Sequence, residues 1–316
     1  MAHELEMIDG VASMAWAGET PWHGLGKKVH NDLTPEQMME EANLDWSVEK
    51  VPLSGHFRGQ LVETDKFGLV RDRDAKLLTV VGDDWEPVQN SDAFQFFHDF
   101  VMEGDMEMHT AGSLKGGTMV WALAKVKESF TVFGRDRVDS YLLFTNPHIY
   151  GRCIDVRFTP IRAVCNNTVT LALNTKTDIG VRLNHRKVFD PNMVKETLGI
   201  ANNKLGKYKE MAEFLGTKRM TNDTFNEFIR ELFPSSSKDE DKFSRPARII
   251  KGIVDTQPGS EFAEGSWWQG YNAVTFAVDH KLATNQDNRL SSAWYGSGQK
   301  KKLEALDLAL EYANAA

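Results

Sequence analysis

A basic segment in the middle of the chain carries the side chains best suited to bind an anionic ligand. Between Arg152 and Lys187, seven basic residues face only two acidic ones, which leaves five positive charges in excess. If the cationic side chains converge on one track, phosphate contacts would supply affinity without sequence preference. The alternative is that neighbouring carboxylates neutralise each cation separately. The predicted contact residues are Arg152, Arg157, Arg162, Arg182, Arg186 and Lys187.

Aromatic and amide side chains that could contact bases lie in and beside the same segment. Tyr150 is available as a stacking platform. The stretch Thr159–Thr168 contains Arg162 followed by Asn166 and Asn167. We expect a polar turn there, and its Asn166 and Asn167 amides are further candidate contacts for a phosphate or a base. The alternative is a structural turn whose amides satisfy one another and cap the next element.

The sequence lacks the motifs of the common nucleotide-binding and hydrolytic enzymes. It has no Gly-rich loop ending in Gly-Lys-Ser/Thr, no Gly-x-Gly-x-x-Gly, no Gly-x-Ser-x-Gly and no His-Glu-x-x-His. Asp83, Asp84 and Glu86 stand near an expected strand end, where carboxylates could hold magnesium, although such a group is also typical of a solvated turn. A protein without catalytic residues is therefore the first expectation, and a metal-dependent enzyme acting on nucleotides or nucleic acid is the alternative.

The cysteines and histidines do not show the spacing of a metal site. Cys153 and Cys165 are the only cysteines. A zinc site made of Cys165, His148 and His185 would exist only if the fold gathered them. We predict no metal and no cofactor. Two cysteines are too few for a disulfide framework, which favours a reducing compartment.

Charge and hydropathy restrict the class of protein further. The net charge of the 316 residues is −8, and from Asp32 to Glu107 there are 18 acidic residues against 6 basic ones. No apolar run is long enough for a membrane-spanning helix, and the first ten residues do not resemble a secretion signal. The sequence predicts a cytoplasmic protein with no membrane partner.

Local patterns predict strands in the first half of the chain and helices in the second. Thr34 and Pro35 indicate a helix start, and Ser91 is the expected cap of a helix beginning at Asp92. The order of strand pairs and helices favours an α+β fold, with an antiparallel sheet and helices on one face in the first ~185 residues and a mainly helical remainder. The expected divisions are an irregular N-terminal arm (1–30), an α+β core (31–186), a helical extension (187–233), a polar linker (234–244) and a helical C-terminal part (245–316).

Several short stretches resemble the phage/plasmid-like proteins of domain of unknown function family 932. These stretches are Trp22–Gly26, Trp85–Asn90, Ala111–Leu114 followed by Gly117 and Trp121, Thr159–Thr168, Trp268–Asp279, and Gly296–Gly298. The resemblance implies a protein of mobile elements that replicate and recombine DNA in a bacterial host. It brings no agreed activity.

Together, the basic segment and the resemblance lead to one functional expectation. We expect a non-enzymatic, homo-oligomeric protein that binds single-stranded DNA, of the annealing type, in phage or plasmid recombination and replication. A third interpretation is a scaffold or host-factor inhibitor that binds protein through exposed aromatic residues, although helical spacing also suits core packing. Its candidate residues are Trp267, Trp268, Tyr271, Trp294 and Tyr295.

Overall fold

The computed structural model describes residues 4–18, 25–127, 129–162, 167–168, 180–186, 189–190, 208–235, 243–282, 292 and 296–315. At positions 159–162, 167–168 and 180 the description covers the backbone alone. Within these residues, strands fill the first part of the chain and helices the last part. The chain therefore has the predicted α+β fold.

Fourteen strands form three sheets in the described residues. A small pair joins β1 (Met7–Ile8) to β2 (Val11–Ala12). A three-stranded sheet has β5 (Val48–Phe57), β6 (Gln60–Arg71) and β7 (Lys76–Val81) in sequence order. The main sheet has nine strands: β3 (Met14–Trp16), β4 (Lys27–Lys28), β8 (Met106–Leu114), β9 (Met119–Val126), β10 (Phe130–Val132), β11 (Asp136–Pro147), β12 (Ile154–Arg162), β13 (Asn167–Thr168) and β14 (Gly180–Leu183).

The main sheet runs in the order β13-β12-β11-β9-β8-β3-β4, with β10 beside β11 and β14 beside β12. All of its pairs are antiparallel except β3 with β4. Successive side chains point to opposite faces. On one face, Ala122, Phe144 and Val156 belong to the main core. On the other, Trp121 and Leu143 belong to a second core cluster. Its other members come from strands and the N-terminal segment, so the helices cover one face, as predicted.

Seven helices occur in the described part of the chain. They are α1 (Pro35–Glu41), α2 (Asn90–Met102), α3 (208–217), α4 (Asn222–Leu232), α5 (Arg245–Ile253), α6 (Trp267–His280) and α7 (Ser297–Ala315). Helix α6 is buried on nearly all sides, and the indole N–H of Trp268 donates to Asp136 Oδ2 of β11 at 3.1 Å. The main core therefore runs without a break from the sheet into the C-terminal helices. None of the described helices is long and apolar enough to cross a membrane.

The start of α1 is confirmed, whereas that of α2 is not. Thr34 caps α1, and its hydroxyl accepts from Gln37 N. Helix α2 begins at Asn90, two residues before the predicted Asp92, and Ser91 lies inside it. The reason is tertiary: the Gln89 side chain bonds both backbone groups of Val48, which fixes the chain just ahead of the helix.

The first 30 residues contain more regular structure than an irregular arm. Four strands of two or three residues lie there, and β3 and β4 extend the main sheet. The arm is also tied to the three-stranded sheet. Arg71 Nη1 contacts Glu6 Oε1 at 2.8 Å, and its Nη2 contacts Asp74 Oδ2 at 2.6 Å. Both Arg71 and Glu6 are buried, so this ion pair is shielded from water.

Candidate functional site

The pairing of β12 with β14 brings part of the basic segment together. Asp155 lies opposite Arg182, and Arg157 lies opposite Gly180. Residues two apart on a strand share a face. The side chains of Asp155, Arg157 and Arg182 therefore meet at the β12 edge of the main sheet.

One carboxylate serves both guanidinium groups. Arg157 Nε donates to Asp155 Oδ1 at 2.5 Å, and Arg157 Nη2 donates to Oδ2 of the same carboxylate. Arg182 Nε donates to Asp155 Oδ2 at 3.1 Å. The Arg157 side chain is 14% exposed and that of Arg182 is 55% exposed. Arg157 is thus held in place, while Arg182 presents most of its surface to solvent.

Next to these residues is a cavity of about 240 Å³. Arg152 and Cys153, from the loop between β11 and β12, line it together with Asp155, Arg157 and Arg182. Arg152 is exposed and has no ion pair within the described residues. Among the described residues that line the cavity, the charged side chains are three arginines and one aspartate.

The beginning of α7 also reaches the cavity through Gln299, the third residue of that helix. The N-terminal end of a helix carries a partial positive charge and unsatisfied N–H groups. Helix α7 is 19 residues long. Of its first turn, Gln299 is the residue that lines the cavity.

Other predicted contact residues lie elsewhere. Arg186 forms an ion pair with Asp84 at 2.9 Å, which neutralises it individually. Arg162 lies five residues after Arg157 on β12, which is roughly 16 Å along the strand. Because five is an odd number, the two positions belong to opposite faces of the sheet. Tyr150 is 64% exposed and two residues from Arg152, although it does not line the cavity. The structure thus gathers Arg152, Arg157 and Arg182, whereas Arg186 pairs with Asp84 and the side chain of Arg162 is not described.

The remaining predicted positions fall at the limits of the described residues. Asn167 pairs through its backbone with Arg162, and its side chain is not described. Asn166 and Lys187 lie outside the described residues. The expectation of a contact through the Asn166 and Asn167 amides therefore stays a prediction.

The acidic group considered for magnesium is paired with lysine and arginine. Lys50 Nζ lies 3.5 Å from both Asp83 Oδ1 and Glu86 Oε1, and Asp84 holds Arg186. Across the described residues, no set of three or more His, Cys, Asp or Glu side chains could hold a metal ion. This part of the surface is a set of ion pairs.

The aromatic residues considered for a protein interface are mostly core residues. Trp267, Trp268 and Tyr271 are all at most 1% exposed. Trp294 and Tyr295 lie outside the described residues. The helical spacing of the first three thus reflects core packing.

Sequence reasoning missed several members of the cavity, among them Asp155 and Gln299. Asp155 counted only as one of the two acids in the basic segment, and its role as a shared partner depends on the β12–β14 register. Gln299 lies more than a hundred residues further along the chain, so no local signal could link it to Arg152. The alternation along β12 could have shown that positions 155 and 157 share a face.

The fold and the site define an α+β protein with a cationic cavity at the edge of its main sheet. The family described as domain of unknown function (DUF932) matches residues 77–294, which is more than half of the chain, and the chain belongs to that family. The resemblance seen in the sequence is thereby confirmed. No curated protein shows a significant match to the chain. No solved structure does so either.

Proposed function

We propose that this protein binds single-stranded nucleic acid without catalysing a reaction, as an annealing-type oligomer in phage or plasmid DNA recombination and replication. It would act in the cytoplasm of a bacterial host. The observation that carries the proposal is the convergence of Arg152, Arg157 and Arg182 on one cavity. Arginine is well suited to phosphate because its planar group offers paired donors.

The surroundings of the cavity support a backbone phosphate as its ligand. Gln299 brings the first turn of α7 to the cavity, and helix N-termini favour anions. The exposed ring of Tyr150 stands two residues from Arg152, within the same loop, where a neighbouring base could stack on it. A phosphate at the arginines and a base on Tyr150 match the general mode of single-strand binding.

The outer face of the three-stranded sheet supports assembly into an oligomer. Val51 and Val80 both lie opposite Gly68, and Val62 lies opposite Gly55. Gly55 and Phe57 share a face of β5 beyond the irregularity between Pro52 and Ser54. The apolar side chains on this face are 37–64% exposed, and they are Val51, Phe57, Val62 and Val80. Exposed apolar side chains on one sheet are typical of protein–protein contacts.

A binding titration with matched variants tests the proposal. The probe is a fluorescently labelled oligothymidine, and its anisotropy is recorded against protein at several salt concentrations. Arg182→Glu and Arg152→Glu should each weaken binding about tenfold or more, because a cation at the cavity becomes an anion. Each loss of a phosphate contact should also reduce the salt slope by about 0.7.

Arg186→Glu is the control for overall charge. It makes the same change in net charge as Arg182→Glu, but at a position paired with Asp84 away from the cavity lining. The affinity of this variant for oligothymidine should change less than threefold, compared with the tenfold loss expected for the cavity variants. If Arg186→Glu weakens binding as much as Arg182→Glu, the cavity is not the site. If the unaltered protein does not bind at low salt, the proposed function is wrong.

A further inference from the structure

Three buried polar side chains converge on the segment Trp85–Asn90 from distant parts of the chain. His148 Nε2 lies 3.0 Å from Asn90 Oδ1. Asn146 Nδ2 donates to Val88 O at 2.8 Å. His185 Nδ1 lies 3.1 Å from Glu86 O. All three side chains are at most 2% exposed.

The hydrogen bonds of Asn90 fix the tautomer of His148. The Asn90 Nδ2 group donates to Leu44 O at 3.0 Å and to Trp46 O at 3.3 Å, so Oδ1 is the acceptor. His148 Nε2 must therefore carry the proton, and Nδ1 keeps its lone pair. Within the described residues, His148 Nδ1 has no hydrogen-bond partner.

The same logic applies to the other two side chains. Because Asn146 Nδ2 donates to a carbonyl, Asn146 Oδ1 is an acceptor. His185 Nδ1 must donate to Glu86 O, so Nε2 keeps its lone pair. Both Asn146 Oδ1 and His185 Nε2 are buried and lack a partner among the described residues. Three acceptor atoms thus lie buried in one region without a donor, whereas buried polar atoms are nearly always paired.

This arrangement is the one that metal-binding histidines show. A ligating imidazole donates its other ring N–H to an oxygen atom, which orients the ring and leaves the lone pair for the metal. His148 and His185 each have that second contact, to Asn90 Oδ1 and Glu86 O. We propose that His148 Nδ1, His185 Nε2 and Asn146 Oδ1 form a site for a borderline transition-metal ion such as Zn²⁺.

Burial keeps both imidazoles neutral. It lowers the pKa of His148 to about 3 and that of His185 to about 4, so both rings have a lone pair at physiological pH. The charges of His185 and Arg71 also lower the pKa of His148. The nearby Arg71 is paired with both Glu6 and Asp74, so that group carries one net negative charge.

The Cys165 ligand considered with these histidines lies outside the described residues. Its described neighbours, Arg162 and Asn167, pair with each other at the C-terminal end of β12. The loop with His148 precedes the N-terminal end of that strand. The inferred site therefore uses the two histidines with an amide oxygen instead of a thiolate.

The test is a Zn²⁺ titration of the full chain by calorimetry, with Co²⁺ absorption as an optical measure of coordination. One ion per chain is expected. His148→Gln keeps a donor toward Asn90, and His185→Asn keeps a donor toward Glu86, but each removes one ligand atom. Each variant should lose at least about tenfold in affinity. His109→Gln is the control, because His109 is a half-buried imidazole whose Nδ1 is also buried and unpartnered among the described residues, but it lies on the opposite side of the main sheet, beside Tyr141.

X-ray absorption at the zinc edge of the unaltered protein provides a second measurement that does not depend on folding of the variants. The expected spectrum has nitrogen and oxygen neighbours only, with scattering from two imidazole rings. Sulfur in the first coordination shell, no stoichiometric binding, or equal loss of affinity in His109→Gln would each overturn the proposal. None of these results depends on nucleic-acid binding.

Discussion

Replacing Asp155 by asparagine should tighten nucleic-acid binding while weakening the fold. The substitution removes the carboxylate that Arg157 and Arg182 share, and the charge at the cavity becomes more positive by one. A phosphate on the outer side of Arg182 would lie about 6 Å from the carboxylate, where repulsion in a water-like medium is on the order of 1 kcal/mol. Affinity for oligothymidine should therefore increase about fivefold.

The same substitution should lower stability. The Arg157 side chain is 14% exposed and would lose one of its two hydrogen bonds to residue 155, because the asparagine amide keeps a single acceptor oxygen. Leaving a largely buried charged group poorly paired costs about 2 kcal/mol. Urea unfolding should show this loss, and binding should be measured where the variant is fully folded.

Asp84→Asn is the matched control for this experiment. It removes the same charge and releases Arg186, which does not line the cavity. Its affinity should stay within about twofold of the unaltered protein. If Asp155→Asn weakens binding, or if Asp84→Asn tightens it equally, the assignment of the cavity charges is refuted.

Three further predictions concern the stability and assembly of the protein. Lys302→Met should lower the free energy of unfolding in urea by about 3–5 kcal/mol, because the buried Asp279 carboxylate would lose the ammonium group that lies 2.9 Å away. Unchanged stability would show that this ion pair does not support the fold. The fold should become less stable as pH falls from about 6.5 toward 4, because the imidazoles are protonated in the unfolded chain but stay neutral in the folded chain. The expected loss is about 1.4 kcal/mol per pH unit for each imidazole whose pKa is lowered. The imidazoles whose pKa is lowered by burial are those of His109, His148 and His185, and a flat pH profile would contradict this. Phe57→Glu should dissociate the oligomer in light scattering, whereas Leu61→Glu, equally exposed on the opposite face, should not.

Local signals in the sequence predicted the elements well where those signals decide the structure. The cap at Thr34, the turn between β6 and β7, and the glycines between β8 and β9 all depend on neighbouring residues. The sequence pattern predicted a strand over 46–53 and another over 67–71, but not the hairpin that joins β5 to β6. Its strands extend to a turn at Arg58 and Gly59, both with positive φ, and residues 54–66 are mostly exposed, so no burial pattern marks them.

The candidate site could be predicted only in part. Composition indicated the basic segment, but which cations meet depends on the register between β12 and β14. The equal spacing of Arg152, Arg157 and Arg162 suggested a continuous row of cations. However, strand positions that are an odd number of residues apart belong to opposite faces of the sheet. The histidine cluster depends on hydrogen bonds between residues up to 99 positions apart, which the sequence does not encode locally.

The most direct test of nucleic-acid binding is the salt dependence of oligothymidine affinity for the unaltered protein. With two or three phosphates held at the arginine cavity by each chain, the logarithm of the association constant should fall linearly against the logarithm of salt with a slope of about −1.4 to −2. An affinity that does not change between about 50 and 300 mM salt, or no binding at the lower concentration, would contradict the proposed function.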